Sequence, residues 1–445
     1  MGLDAQFTVV NPFVWGDDQY QRDFNHVDHY IKNSAKYLSV VYGVSADECE
    51  VWVKTQLASD GEYPIYNPKI LTLTRPSEGN RILETITAED FFGDIIKNRR
   101  IVSPSLAVYL HPKEKQSILA KFIRGNVKAR GVAKKAMFLA KQLGDKITEN
   151  IKNDEQASKK IANNSMSGAH NSLYTILWMR SAHSSLTSTC RTATAYANAN
   201  NEKFLTGNRH YYDPTVTMEA LVSTLNLTDF EALAAVMEKY QLHYPTAEEV
   251  LETIRYSADY YWPHAHEEHK RFFEFAARLE PIERAALVYV QDAWHLKRFN
   301  EEVMRTLISK LITYSTVPHP DPAAVWSKMT DSIKAFVFSL HGPELMGKVV
   351  IKLKETDPEL YACIASTAVK TWQVLDEYSD LISVLWTTHV VPASVANFTY
   401  SVRRSSLLSD TDSTIFTVQD WCSWYSGVEA VNRETSAVRN CMVFF

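Results

Sequence analysis

The helical period dominates the pattern of hydrophobic and polar positions along this 445-residue chain. Apolar residues recur every three or four positions in most of the hundred residues after Pro112 and over most of 208–390, a spacing typical of helices. One long helix is predicted at 281–317. Short strands are predicted at 101–110 and on both sides of an acidic turn in 407–418. The pattern therefore predicts a helix-rich α+β protein.

A basic helical hairpin is predicted in the first of these helical regions. Gly144 and Asp145 interrupt the pattern between arms at 113–143 and 146–167. Residues 113–160 contain 13 Lys and Arg against 5 Asp and Glu, a local charge of +8 in a chain of net charge −5. A basic block in an acidic protein indicates a local anion site, although a solvated basic face remains the plainer alternative.

Particular side chains of the hairpin are suited to binding a nucleotide. Arg130 and Lys134 are four residues apart, as are Lys160 and Asn164, so each pair lies on one helical face. Gly168 follows Asn164 one turn later and leaves a bare backbone patch. Arg can grip phosphate oxygens with two hydrogen bonds, and Lys adds a point charge.

The acidic turn S-D-T-D-S places Asp410 and Asp412 two residues apart between two apolar runs. Near a hairpin turn their carboxylates can point to one side. Mg²⁺ is bound by one or two carboxylates and leaves positions for water and substrate phosphates. The alternative is a turn that uses Asp and Thr only for local hydrogen bonds.

The motifs occur in a recognisable order: R-x-x-x-K-K-x-M from Arg130, K-x-x-x-N-S-x-x-G from Lys160, then S-D-T-D-S from Ser409. This order resembles the fingers and palm of family B DNA polymerases, whose second and third motifs are K-x-x-x-N-S-x-Y-G and Y-G-D-T-D-S. Residues 101–119 look like the strand region before the fingers of tailed-phage members. The resemblance covers about 101–172 and 400–422 and implies a replicative polymerase of a large-genome tailed phage.

The resemblance also implies roles for individual residues. Asp410 and Asp412 would be the catalytic metal ligands, holding two Mg²⁺ ions that Mn²⁺ can replace, in two-metal phosphoryl transfer. Arg130, Lys134 and Lys160 would contact the deoxynucleoside triphosphate. Asn164 would line its pocket.

Three further residues are expected to contact primer–template DNA: Gly168, Ser413 and Arg191. Arg191 lies in a stretch rich in hydroxyls and amides, 184–209, which suits a nucleic-acid backbone. A polar seam between helices would have the same composition.

The chain departs from the family pattern in ways that point to a partner. Ser167 replaces the usual Tyr, and Leu408-Ser409 replaces Tyr-Gly. No D-x-x-S-L-Y-P, the family's first palm motif, is found, and Asp17-Asp18 is the nearest acidic candidate. We therefore expect a split polymerase in which a second chain supplies this motif A and the exonuclease. The alternatives are a non-catalytic nucleic-acid-binding subunit and a helical scaffold.

Four divisions of the chain are predicted: a mixed, palm-associated region at 1–100, fingers with the motif B helix at 101–204, a helical insertion at 205–395 and a palm hairpin with motif C at 396–445. Five scattered cysteines without C-x-x-C spacing favour a reducing compartment. No apolar run approaches the ~18 residues needed to cross a bilayer. We expect a soluble protein in the cytoplasm of an infected bacterial host.

Overall fold

The structure is a computed structural model that describes residues 26–58, 60–61, 69–74, 82–105, 107–387, 400–410 and 413–445. Asp17, Asp18 and Asp412 lie outside the described residues. The chain divides into two units. The first unit comprises Met1–Arg99, Arg191–Met304 and Ser379–Thr417, and the second comprises Arg100–Cys190, Arg305–Tyr378 and Val418–Phe445.

Helices alternate with a few short strands along the described chain. The first half contains α1 His26–Tyr42, α2 Ala46–Leu57, β1 Lys69–Thr74, β2 Ile82–Thr87, α3 Ala88–Lys97, β3 Ile101–Val102, β4 Val108–Tyr109, α4 Ile118–Leu143, α5 Lys146–Asn171, α6 Arg180–Thr206, α7 Pro214–Leu227, α8 Phe230–Lys239 and α9 Ala247–Ala258. The second half contains α10 His266–Arg278, α11 Pro281–Tyr289, α12 Ala293–Phe299, α13 Glu301–Ile312, α14 Pro322–Lys328, α15 Asp331–Leu340, a 3₁₀ turn Val350–Lys352, α16 Leu353–Thr356, α17 Pro358–Glu377, α18 Ser379–Leu381, a π turn Ile382–Trp386, β5 Ser406–Ser409, β6 Thr414–Phe416, α19 Gln419–Ser426 and α20 Arg433–Phe444.

Strands are few and short in the described chain. They form three separate two-stranded antiparallel sheets, β1–β2, β3–β4 and β5–β6. The helix-rich α+β prediction is confirmed, and so is the hairpin of strands around the acidic turn.

The core of the first unit is helical and lies mainly among α7 to α12. Leu225 of α7, Leu233 of α8 and Phe275 of α10 are at most 1% exposed. This core also encloses charge, because Arg209 pairs with Asp292 at 2.8 Å and both side chains are buried. Burying an isolated charge costs on the order of several kcal/mol. Each of these two residues therefore requires the other as its partner in the core.

The single helix predicted at 281–317 is wrong. The chain forms three helices there, α11, α12 and α13. Gln291 adopts a left-handed backbone with φ of 60°, and the Asp292 side chain caps α12 by accepting from the backbone N–H of His295. The apolar periodicity hid this break because residues 285–290 are buried whatever their helical phase.

The predicted helical hairpin in the second unit is confirmed. Ser117 caps α4 at its start. Gly144 ends the helix with φ of 75°, a left-handed conformation that favours glycine. Asp145 then caps α5 by accepting from the backbone of Thr148 at 3.0 Å. Residues at the helix ends therefore specify where each helix of the hairpin begins and where the chain reverses.

The remaining helices of the second unit pack through aromatic contacts. Phe336 of α15 stacks on Phe444 of α20 at 4.6 Å between ring centroids. The Arg305 guanidinium donates to the backbone carbonyls of Trp424 and Tyr425 at 2.8 and 2.9 Å. These contacts tie the C-terminal helices α19 and α20 to α13 and α15.

Among the described helices, none is by itself long and apolar enough to cross a membrane. The pair α7 and α8, bent by 83°, meets that length and composition only when the two are taken together.

Candidate functional site

The acidic turn connects β5 and β6 in the first unit. Ser409 faces Thr414 in the strand register, and an irregularity occurs between Ser406 and Leu408. The backbone N–H of Asp410 donates to the carbonyl of Ser413 at 2.8 Å, which closes the turn. Asp410 and Ser413 are both exposed. The hairpin therefore presents its acidic end to solvent.

Asn198 of α6 holds the two strands together at the base of this turn. Its Nδ2 donates to Oγ of Ser409 at 2.8 Å, and its Oδ1 accepts from Oγ1 of Thr414 at 2.7 Å. The Asn198 side chain is 7% exposed. Because one amide satisfies both strands, it fixes their spacing immediately before and after the acidic residues.

Glu202, one helical turn further along α6, holds the chain that enters β5. Its carboxylate accepts from three consecutive backbone N–H groups, those of Arg404 and Ser405 at 2.8 Å each and that of Ser406 at 2.6 Å. It also accepts from Oγ of Ser405 at 3.0 Å and from Nδ2 of Asn208 at 2.7 Å. Five donors thus converge on one fully buried carboxylate.

The charge state of Glu202 follows from these contacts. Burial raises the pKa of its carboxyl, but the hydrogen bonds from the Ser406 and Arg404 backbone and from Asn208 outweigh burial, so the pKa lies below its ordinary value. Glu202 is therefore an anion at neutral pH and acts as a charged anchor for β5.

Further contacts fix the chain on the approach to β5. The backbone N–H of Val402 donates to the hydroxyl of Tyr261 at 2.8 Å, and its carbonyl accepts from Asn208 at 2.9 Å. The Arg404 guanidinium lies 3.7 Å above the ring of Tyr256 and donates to the Tyr256 carbonyl. The strand that leads to the acidic turn is therefore tied to both α6 and α9.

The basic side chains lie on the α4–α5 hairpin in the second unit. Nδ2 of Asn126 donates to Oδ1 of Asn163 at 3.2 Å, and Nε of Arg130 donates to Oε1 of Gln156 at 3.4 Å. These bonds set the antiparallel register, in which Arg130 faces Gln156 and Lys160 follows Gln156 one helical turn later on α5. Two of the predicted phosphate-binding residues, Arg130 and Lys160, therefore lie on facing helices about one helical turn apart along the hairpin.

Three acidic residues in or near the hairpin pair with basic residues other than Lys134 and Lys160. Glu114 binds Arg100 at 2.8 Å, and Glu149 and Glu155 bind lysines one turn away on α5. Lys134, Lys160 and Asn164 are exposed. Within the described residues, Lys134 and Lys160 form no ion pair, so their charge faces solvent and is accessible to an anion.

Gly168 is exposed near the end of α5, and a Cβ built there would meet nothing within 4 Å. Glycine in a helix interior costs about 0.5–1 kcal/mol relative to alanine. No packing contact within the described chain accounts for that cost at Gly168.

The structure assigns the predicted site residues to two groups. Asp410, Ser413 and Arg191 belong to the first unit, and Arg191 is exposed on α6. The second unit carries the nucleotide-binding candidates and the predicted DNA-contacting glycine: Arg130, Lys134, Lys160, Asn164 and Gly168. Asp412 lies outside the described residues, and the part of the chain that is described holds no cluster of three metal-ligating side chains. The roles given to these residues stay predictions.

Sequence reasoning missed Asn198 and Glu202, although both fall in the polar stretch 184–209. Their contacts show that this part of the stretch is a polar seam against β5 and β6. A signal was present, because Glu202 is the first acidic residue after the acid-free run 156–201. An isolated acid four residues after an amide, on a helix of small side chains, is a good candidate for a specific buried contact.

Comparison with known proteins identifies the class of protein. The sequence model described as "Divergent Family B DNA polymerase" matches residues 16–445, nearly the whole chain and including 205–395. This is a DNA polymerase-related protein. The chain belongs to the divergent family B DNA polymerases. No curated protein and no solved structure matches it.

Proposed function

We propose that this chain carries the nucleotidyl-transfer part of a template-directed DNA polymerase. The observation that supports the proposal most directly is the exposed β-hairpin turn that presents Asp410 within S-D-T-D-S, in a member of a family B polymerase lineage. The two-sided fixation of this hairpin by Asn198 and Glu202 is what a metal-binding turn requires, since ligands must be held in place to be effective.

Asp410 and Asp412 would hold Mg²⁺, with Mn²⁺ as a substitute. Carboxylate oxygens at an exposed turn are the hard ligands that Mg²⁺ prefers, so the donor chemistry fits. When bound, the two ions would lower the pKa of the primer hydroxyl and neutralise charge on the triphosphate. The task of the chain is to keep both carboxylates ionised and in position.

The basic hairpin would bind the incoming deoxynucleoside triphosphate. Arg130, Lys134 and Lys160 would neutralise its phosphates, and Asn164 would lie against the nucleoside. Arg130 is half-buried and oriented by Gln156, so less side-chain entropy would be lost on binding. Gly168 would allow the nascent base pair to approach the helix backbone, while Ser413 and Arg191 would contact the primer–template.

A partner chain completes the active site in this proposal. The sequence contains no D-x-x-S-L-Y-P, the motif that supplies the other palm aspartate in family B enzymes. A second chain would contribute this carboxylate together with the exonuclease, as in a split replicase of a tailed phage acting in the cytoplasm of its bacterial host. The same absence favours one alternative function, a subunit that binds nucleic acid without catalysis.

Primer extension with Mg²⁺ and four deoxynucleotides tests the proposal, first with the chain alone and then with candidate partner chains. Asp410→Asn and Asp412→Asn should each abolish synthesis while DNA binding persists, because only metal binding is removed. Asp420→Asn, at another exposed aspartate, is the matched control and should retain synthesis. Full synthesis by Asp412→Asn would refute the metal role. Synthesis by the chain alone would refute the shared site.

The nucleotide-binding role is tested by Lys160→Ala. We expect the KM for deoxynucleotides to rise at least tenfold with little change in DNA affinity, because the lost contact is to the triphosphate. Lys121→Ala is the control, since nine residues place Lys121 about 180° around α4 from Arg130. Equal loss of DNA and nucleotide affinity in Lys160→Ala would instead indicate a general backbone contact.

A further inference from the structure

The segment that connects α5 to α6, residues 172–179, exposes a set of apolar side chains. Tyr174 is 98% exposed, Ile176 103%, Leu173 60%, Met179 51% and Trp178 39%. The stabilisation that burial of these side chains would give is absent here. Exposed apolar side chains grouped in one short segment are typical of a binding surface.

This segment is held in a defined conformation by hydrogen bonds. Oγ1 of Thr175 donates to the carbonyl of Ala169 at 2.5 Å, and the N–H of Met179 donates to the carbonyl of His170 at 2.8 Å. The N–H of Trp178 donates to the carbonyl of Thr175 at 3.2 Å. The connection therefore returns to the end of α5, and its outward side chains are presented by a fixed backbone.

The charge around the segment identifies the kind of ligand. Residues 156–201 contain no Asp or Glu, whereas the whole chain has 52 in 445 residues. At that average, 46 residues would hold five or six acids. Aromatic residues and Arg also occur at protein–protein interfaces, but the absence of acid over so long a run specifically favours a polyanion.

The start of α6 supplies a polar track beside the aromatic residues. Arg180, Ser184 and Thr187 are all exposed and follow at i, i+4 and i+7, so they lie on one face of the helix. Guanidinium and hydroxyl groups are among the usual contacts to a nucleic-acid backbone. Exposed aromatic rings next to such a track match the pattern by which proteins bind single strands, with bases stacked on the rings.

We propose that residues 172–179 and the first two turns of α6 bind an unpaired nucleic-acid strand, with bases stacked on Tyr174 and Trp178. The identification of this strand as template rests on the proposed function. Binding itself does not, because the surface contains none of the residues assigned to metal or triphosphate.

The test is fluorescence anisotropy of a labelled 20-nucleotide oligo(dT) with the full chain. Base stacking on an aromatic side chain is worth about 1–3 kcal/mol, so Tyr174→Ala should weaken binding by about 5- to 150-fold. Tyr174→Phe should bind as the wild type does. Ile118→Ala is the matched control, since it removes an apolar side chain without a ring that is 85% exposed outside the proposed surface, and should change binding less than twofold.

Two further measurements make the result decisive. A blunt duplex of the same length should be insensitive to Tyr174→Ala, because its bases are already stacked. Arg180→Ala should reduce the slope of log Kd against log salt by about 0.7 if one phosphate contact of a single strand is lost.

Wild-type affinity of Tyr174→Ala for oligo(dT) would overturn the proposal, as would equal losses in Tyr174→Ala and Ile118→Ala, which would show that the loss is not specific to this surface. The test distinguishes a failure of this proposal from a failure of the proposed polymerase function. Tyr174-dependent binding without any synthesis would overturn the polymerase proposal alone, and normal synthesis with Tyr174-independent binding would overturn only this one.

Discussion

Glu202→Gln removes the charge of the anchor of β5 with almost no change in volume. The carboxylate accepts from five donors, so an amide in either orientation turns a donor toward at least two of them. A buried donor left without an acceptor costs about 1–3 kcal/mol. We therefore expect the first unit to lose about 2–5 kcal/mol of unfolding free energy.

Hydrogen exchange locates this loss and urea unfolding measures it. In Glu202→Gln, peptides covering 404–406 should exchange faster by a factor corresponding to the lost free energy, because their N–H groups lose their acceptor. Glu238→Gln, at an exposed position of α8, is the control and should stay within about 0.5 kcal/mol of wild type.

Acid titration gives an independent check of the same reasoning. Because the native pKa of Glu202 is depressed, its contribution is fully present above the unfolded pKa of about 4.3 and is lost as pH falls through the lower native pKa. The stability difference between wild type and Glu202→Gln should therefore narrow between pH 6 and pH 3. A difference that is constant with pH, or unchanged exchange at 404–406, would refute the charged-anchor interpretation.

Two further predictions concern positioning. Asn198→Ala should lower primer extension severalfold at limiting Mg²⁺ and less at high Mg²⁺. Adding Thr414→Val should make it no worse, since Asn198→Ala has already removed the contact between these two residues. Additive losses independent of Mg²⁺ would contradict this. Gly168→Ala should leave the free energy of unfolding unchanged or raise it by about 0.5–1 kcal/mol, yet reduce primer extension. Gly125→Ala, with equally open space around it, should raise the free energy of unfolding without reducing extension. Normal extension by Gly168→Ala would contradict close approach of the base pair.

Local signals made the α4–α5 hairpin and the acidic turn predictable from the sequence. Ser117, Gly144 and Asp145 are capping residues whose effect depends only on their neighbours. The S-D-T-D-S turn is likewise bounded by apolar residues that pair across it. Wherever the determinant of structure lay within a few residues, the sequence alone was sufficient.

Contacts between distant parts of the chain were not predictable in this way. Asn198 meets Ser409 across 211 residues, and nothing near either residue specifies the other. The break at Gln291 was hidden for a related reason, since residues 285–290 before it are all buried and no exposed position marks the end of the helix. In both cases tertiary packing, rather than local preference, decides the structure.

The helices between α6 and β5 therefore have a structural role in the candidate site, even though none of its predicted residues lies in them. Gly207 ends α6 with φ of 66°, and a Cβ there would come within 2.6 Å of the His295 ring. Oγ of Ser257 on α9 donates to the Gly207 carbonyl and accepts from the N–H of Arg209. Arg209 in turn is fixed by Asp292 before α12. Because these same helices hold the end of α6 that carries Glu202, the position of the acidic hairpin depends on the packing of residues 205–304, and a chain without them would lack the support for its acidic turn.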